Sequence, residues 1–428
     1  MQLPTLTPTS AKYKQKLLTF RRLNKLSMIA DDELSDGENI SWKNSPALSC
    51  RPSRTTMFTI GVPKALTTAG TVLAWVDNVD FMYNNVSKGT VTAGMKSFSD
   101  LNERIVIFPD KKKYDYSANT FSTMAAETPA ILYACPHNNR IFGVYDSKIR
   151  VCTMGNEEDW DTFTPVAPTN SYALDWDTEG GDFSAIASYQ NHVEIFKQDY
   201  MYEVFNVNPP YNVSRVNKVG CLNNQAWVEV GQILYFAGRQ YVYAYSGGVP
   251  RPISEILNVA YTDAVVGGDD RYVYCNLSVG GVWTLYVYDT LTGSWAVEDD
   301  IHFLQFTKLA GHCYGLASTG EIVQFNSGTE TIAWSFTTKP FTASAFNTKG
   351  LNKIRLNLDL DTGTVANLYI KLDDGEFKMV ETFSKSDYQS YIVNVRLQPA
   401  DRVTIKLDGT GEFMFMGMQL EYWMGRDG

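Results

Sequence analysis

The sequence predicts an all-β chain: a six- or seven-bladed β-propeller over residues 56–330, a small C-terminal β-sandwich over 331–428, and an extended N-terminal arm and lead-in over 1–55. Three observations carry this. Aromatic residues make up 13% of the chain, with 25 Tyr and 22 Phe, and such side chains suit a pleated, half-buried surface. One unit recurs along the middle of the chain: an apolar strand, a short polar turn, and a second strand rich in Tyr or Trp. Beyond residue 331 the strands lengthen and alternate strictly.

The recurring unit fixes the architecture. It is plainest from Arg140 to Phe205, in RIFGVYDSKIRVCTM and HVEIFKQDYMYEVF, and its occurrences start at Leu73, Arg104, Arg140, His192, Gln232, Arg271 and His312. Successive gaps are 31, 36, 52, 40, 39 and 41 residues, close to the ~40–50 of blade-type repeats. A four-stranded blade cannot cover both faces alone, so the core must lie between neighbouring blades. Trp160, Tyr202, Tyr288 and Trp295 are the candidate blade-core aromatics. Tyr288 and Trp295, in YDTLTGSW, also have a kelch-like spacing downstream of Gly267 and Gly268. In the C-terminal region Ile354, Leu356, Leu358 and Leu360 point one way, and DDG and DGTG supply hairpin turns, which suits two packed sheets.

The N-terminal region reads differently. Lys12, Lys14, Lys16, Arg21, Arg22 and Lys25 come with no acid between them, and Asp31, Asp32, Glu33, Asp36 and Glu38 follow. One reading is a basic assembly arm that docks on an acidic partner; the other is a solvated extension whose two halves pair with each other. Pro46 and Pro52 exclude helix from the lead-in.

Composition limits the function. A net charge of −10 argues against a general polyanion binder, which needs a clustered excess of Lys and Arg. The six cysteines are widely spaced and read as buried free thiols. No signal-like h-region and no membrane-length apolar run is present, so folding in a cytoplasm is expected.

Catalytic motifs are missing: no nucleophile elbow, no His-Glu-x-x-His, no EF-hand loop and no dinucleotide fingerprint. GTVTAGMKS lacks the Gly-Lys adjacency of a phosphate loop, because Met95 intervenes. His137, His192, His302 and His312 are dispersed, so no metal site and no cofactor is expected. Carboxylates do cluster, at Glu157, Glu158 and Asp159, at Asp269 and Asp270, at Asp299 and Asp300, and at Asp373 and Asp374. Propeller glycosidases use paired carboxylates, but turn stabilisation explains these more cheaply. The expectation is a protein that is not an enzyme.

The run IRVCTMGNEEDWDTF, then SYALDWDTEGGDFSAIASYQNHVEIFKQDYMYEVF, YVYAYSGGVPRPIS and LYVYDTLTGSWAVEDD, resembles a family of phage and prophage virion proteins with a propeller body. That family looks related to the tail nozzle and packaged-DNA stabilisation proteins of short-tailed phages. The resemblance extends from DDELSDGENIS near Asp31 to the closing FMFMGMQLEYW. It implies a structural virion protein of the tail or neck, made in the host cytoplasm. Such a protein forms a homo-oligomeric ring below the portal and adaptor, through which genomic DNA passes without sequence-specific binding; an acidic conduit would let phosphate slide. It supplies no catalytic residue. Two alternatives stand beside it: a host-receptor propeller that binds glycans at the host surface through exposed Trp and Tyr, with Trp160, Trp176 and Trp295 as candidates, and a glycan-degrading propeller enzyme with convergent carboxylates.

Overall fold

The computed structural model describes residues 12–17, 19–163, 167–176, 181–342, 348–395 and 397–424. These residues form seven four-stranded antiparallel sheets of the β-propeller kind and two six-stranded sheets, with one 3-10 turn at Glu255–Leu257. Six of the four-stranded sheets are consecutive in sequence, at 63–90, 97–123, 133–175, 185–217, 227–252 and 264–297. The seventh takes three strands from 303–324 and its fourth from Thr55–Thr59.

Tight turns explain the regular hairpins. Asn102 and Glu103, and Asn138 and Asn139, join first to second strands with positive φ at both positions, the geometry whose twist matches the flanking strands. First strands of consecutive sheets pack on one another, save those of the fourth and fifth, and that of the seventh sheet packs on that of the first. Gly267 allows one such approach, since a Cβ there would fall 2.2 Å from Phe306 on the next sheet.

The apolar cores lie between sheets, as the repeat logic requires. Ala65, Ala74 and Phe81 of the first sheet share a cluster with Ile105, Ile107 and Tyr114 of the second. Leu66 and Trp75 of the first share another with Leu316 and Ile322 of the seventh. Trp160 is buried between the second and third sheets, edge-on to Phe108, and donates from Nε1 to the Glu157 carbonyl. Tyr202 is buried among Trp176 and Phe183. Tyr288 packs, tilted, at 5.0 Å on the fully buried Trp295, whose Nε1 donates to the Ile253 carbonyl.

The N-terminal 55 residues depart from the sequence reading of an extended arm. They contribute β1 (Lys12–Leu17), β2 (Arg22–Leu23), β3 (Glu33–Glu38), β4 (Ile40–Ser41), β5 (Leu48–Cys50) and the start of β6 (Thr55–Thr59), which completes the seventh sheet. In the front sheet of the sandwich the order is Gln389–Asn394, Lys349–Leu360, Phe413–Met424, β5, β4, with β1 also pairing Phe413–Met424. The back sheet runs β2, β3, Ala333–Thr338, Val403–Thr410, Val365–Leu372, Lys378–Phe383. The sandwich is thus built from both ends of the chain, with the four-stranded sheets inserted between them. The physical reason is apolar: Phe20, Leu23, Leu34, Ile40, Trp42 and Leu48 are all buried, and Phe20 stacks on Phe415 at 5.6 Å. All six cysteines are buried and free.

Candidate functional site

The basic residues of the N-terminus do not form one arm. Arg21 pairs with Asp32 at 3.2 Å, Arg22 with Glu33 at 2.7 Å and Lys25 with Asp36 at 3.2 Å. This is the reading in which the two charge blocks neutralise each other. Lys12, Lys14 and Lys16 instead stand exposed on β1, with Lys12 3.7 Å from Glu421.

The carboxylate groups are also tied locally. Glu157, buried, accepts from Arg104 and Lys113, and Lys113 reaches Glu158 at 2.6 Å. Asp159 accepts from the hydroxyls of Thr153 and Thr162. Asp269 accepts from Tyr274, Asn326 and the Arg271 and Tyr272 backbone, and Asp270 pairs with Lys308 at 2.5 Å. Asp299 pairs with Arg54 at 2.6 Å, and Asp374 with Arg402 at 2.8 Å. At the hairpin turn, Asp373 accepts from the Asp401 and Arg402 backbone. Each of the four groups therefore contains a carboxylate held by a cation of the same chain. Among the described residues no cluster of His, Cys, Asp or Glu has the arrangement of a metal site.

Among the described residues, three of the concavities could admit a ligand. A cavity of about 270 Å³ lies where the first strands converge, lined by Ser97, Phe98, Gln225, Trp227, Gln305 and Lys308 among others. Its polar groups partly serve the fold: Gln305 Oε1 accepts from the Leu66 backbone at 3.0 Å. A groove of about 400 Å³ on the back sheet is lined by Glu38, Asn39, Ser335, Asn367, Lys406 and Asp408. An apolar cleft of about 470 Å³ beside the third and fourth sheets is lined by Phe163, Tyr172, Pro209 and Pro210. Of the tryptophans considered for sugar stacking, Trp160 and Trp295 are buried core residues and Trp176 is half-buried against Tyr202.

The sequence gives no signal for two features. Arg54 is buried between Glu298 and Asp299 and lies 4.6 Å over the Phe325 ring; burial opposes its charge, but the two carboxylates hold the guanidinium above its ordinary value. His192 Nε2 lies 2.9 Å from Oε1 of the fully buried Glu194. Their hydrogen bond raises the imidazole above its ordinary value, and Glu194 is raised chiefly by burial. Both shifts give the folded state the tighter hold on protons. Their contribution to stability is full below the ordinary values and is lost as pH rises through the folded ones. The melting temperature is therefore expected to fall as pH rises above about 6, and His192→Gln should remove the imidazole's share of that slope, but not the share of the buried Glu194, in thermal unfolding followed by circular dichroism.

No protein-family model and no curated protein matches the chain. Solved structures match it only at low similarity. A computationally designed protein, Ika8, is 11% identical with a TM-score of 0.43, over 73% of this chain and 99% of its own. PorZ, a surface component of the type-IX secretion system of Porphyromonas gingivalis, is 11% identical with a TM-score of 0.43, over 70% of this chain and 44% of its own. The extracellular domain of a one component system from B. thetaiotaomicron is 10% identical with a TM-score of 0.46, over 89% of this chain and 63% of its own. At TM-scores below 0.5 these likenesses carry no inference about activity or partners.

Proposed function

We propose that this chain is a structural protein of a phage tail or neck whose copies associate into a nozzle-like ring, and that its seven four-stranded sheets close as a seven-bladed propeller. The packing of the seventh sheet on the first supports the blade count. The observation that carries the functional reading is where the surface is left unsatisfied. Phe377, Met379, Tyr388 and Ile392, between 37% and 63% exposed, lie on or beside Lys378–Phe383 and Gln389–Asn394, the neighbouring edge strands of the two sheets, whereas each carboxylate group contains a member held by a cation of the same chain. Large apolar side chains left exposed along unpaired sheet edges mark an association surface. The cavity between the first strands has the volume of a small-molecule pocket, so DNA would pass through the ring of copies and not through one propeller. A net charge of −10 suits a conduit that does not hold phosphate.

The cleft at Phe163, Tyr172, Pro209 and Pro210 favours a second reading, glycan binding, because an exposed aromatic ring in an apolar cleft is a stacking platform for a sugar face. Light scattering on the purified protein separates the two. The ring reading expects a defined multiple of the monomer mass; a monomer at every concentration that binds a glycan array would overturn it in favour of the second.

A further inference from the structure

We infer that copies of this chain join head-to-tail by extending the front sheet of the sandwich, with β1 of one copy pairing antiparallel to Gln389–Asn394 of the next. The inference rests on the ring reading and names its interface. Three observations support it.

Both strands are edges of the same sheet, on opposite sides of the central pair Lys349–Leu360 and Phe413–Met424. Among the described residues the outer side of each forms no backbone hydrogen bond to another strand. Unpaired edges of this kind are ready templates for another chain.

Direction and height agree. Gln389–Asn394 runs antiparallel to Lys349–Leu360, which runs antiparallel to Phe413–Met424, which runs antiparallel to β1. A neighbour displaced across the sheet therefore presents β1 antiparallel to Gln389–Asn394. The rows match as well: Asn394 lies across from Lys353, Glu421 and Lys14, and Ile392 across from Arg355, Gln419 and Lys16. The two edges occupy the same stretch of the sheet, so no sliding is required.

The surfaces flanking the edges also complement one another. Phe383 of the back sheet packs, tilted, at 4.4 Å on Tyr391, which places the back-sheet edge Lys378–Phe383 beside Gln389–Asn394. That side exposes Glu376, Glu381 and Asp387 against Lys378 and Lys385, whereas the other presents Lys12, Lys14 and Lys16 on β1. Because the two surfaces differ, the contact is heterologous and closes only as a ring.

Cysteines at Lys16→Cys and Ile392→Cys in one chain test this, since the six native thiols are buried. Mild oxidation is expected to give a ladder of disulfide-linked multimers on a non-reducing gel, whereas each single variant gives no ladder. Ile392→Lys is expected to raise the concentration for assembly at least about tenfold while leaving thermal unfolding unchanged. A ring of unaltered mass that neither cross-links nor weakens in Ile392→Lys overturns this interface and leaves the ring reading standing. An unsubstituted protein that is monomeric at every concentration overturns both.

Discussion

Residues 331–428 expressed alone will be unfolded, and fusion of residues 12–50 to them will restore a folded sandwich. The separate fragment lacks β1 to β5, and with them Phe20, Leu23, Leu34, Ile40, Trp42 and Leu48, all buried. Burying one such side chain stabilises by about 1.5–3 kcal/mol. Six of them outweigh much of the about 5–15 kcal/mol that holds a domain together. Loss of Phe20 alone exposes Phe336 and Phe415, whose rings lie 6.2 and 5.6 Å from it. Amide chemical-shift dispersion of the two proteins decides the matter: a well-dispersed spectrum from 331–428 alone would show that the N-terminal strands only decorate the sandwich.

Arg54→Met will be the most damaging single change, costing about 3–5 kcal/mol. It leaves Glu298, 5% exposed, without its closest cation, and an uncompensated buried carboxylate is costlier than the loss of the ion pair itself. Arg51 approaches Glu298 only to 4.0 Å and is engaged with Glu330 at 2.6 Å, so it does not substitute. Arg54→Lys should recover little, since one ammonium cannot serve both Glu298 and Asp299 as the guanidinium fork does. Urea unfolding at neutral pH measures this, and a loss below about 1 kcal/mol, the scale of an exposed pair, would contradict it. The position explains the sensitivity: Arg54 immediately precedes β6, the strand that completes the seventh sheet.

Much of the fold was legible because it is periodic. The repeat starts at Leu73, Arg104, Arg140, His192, Gln232, Arg271 and His312 each fall at or next to the start of the second strand of a four-stranded sheet. Those strands are buried on both faces, so their apolar runs are the densest in the chain. The aromatics Trp160, Tyr202, Tyr288 and Trp295 were legible for the same reason, since large rings fill the spaces between sheets. The N-terminal strands were not. TTMFT has no strong pattern, and its partner strand is Glu321–Gln324, more than 250 residues away. Lys12, Lys14 and Lys16 alternate with less polar residues as an edge strand does, but six residues do not reveal their partner. The unpaired edges of the front sheet were equally hidden, because an edge is defined by what fails to pair with it.

The placement of β1 to β6 sets an order of events during synthesis. These strands leave the ribosome before the four-stranded sheets, and β1, β3, β5 and β6 find their distant partners after them: Asn39 Nδ2 donates to the Ala333 carbonyl across 294 residues, and Ser35 Oγ to that of Thr338 across 303. Contacts of such separation form slowly, after the loop between them has been closed, and until then the early strands expose edges and apolar side chains. A chain whose translation stops within the four-stranded sheets can complete neither the seventh sheet nor the sandwich. Only chains that extend through Phe413–Met424 acquire both edges of the front sheet, so shorter products are excluded from any assembly that uses them.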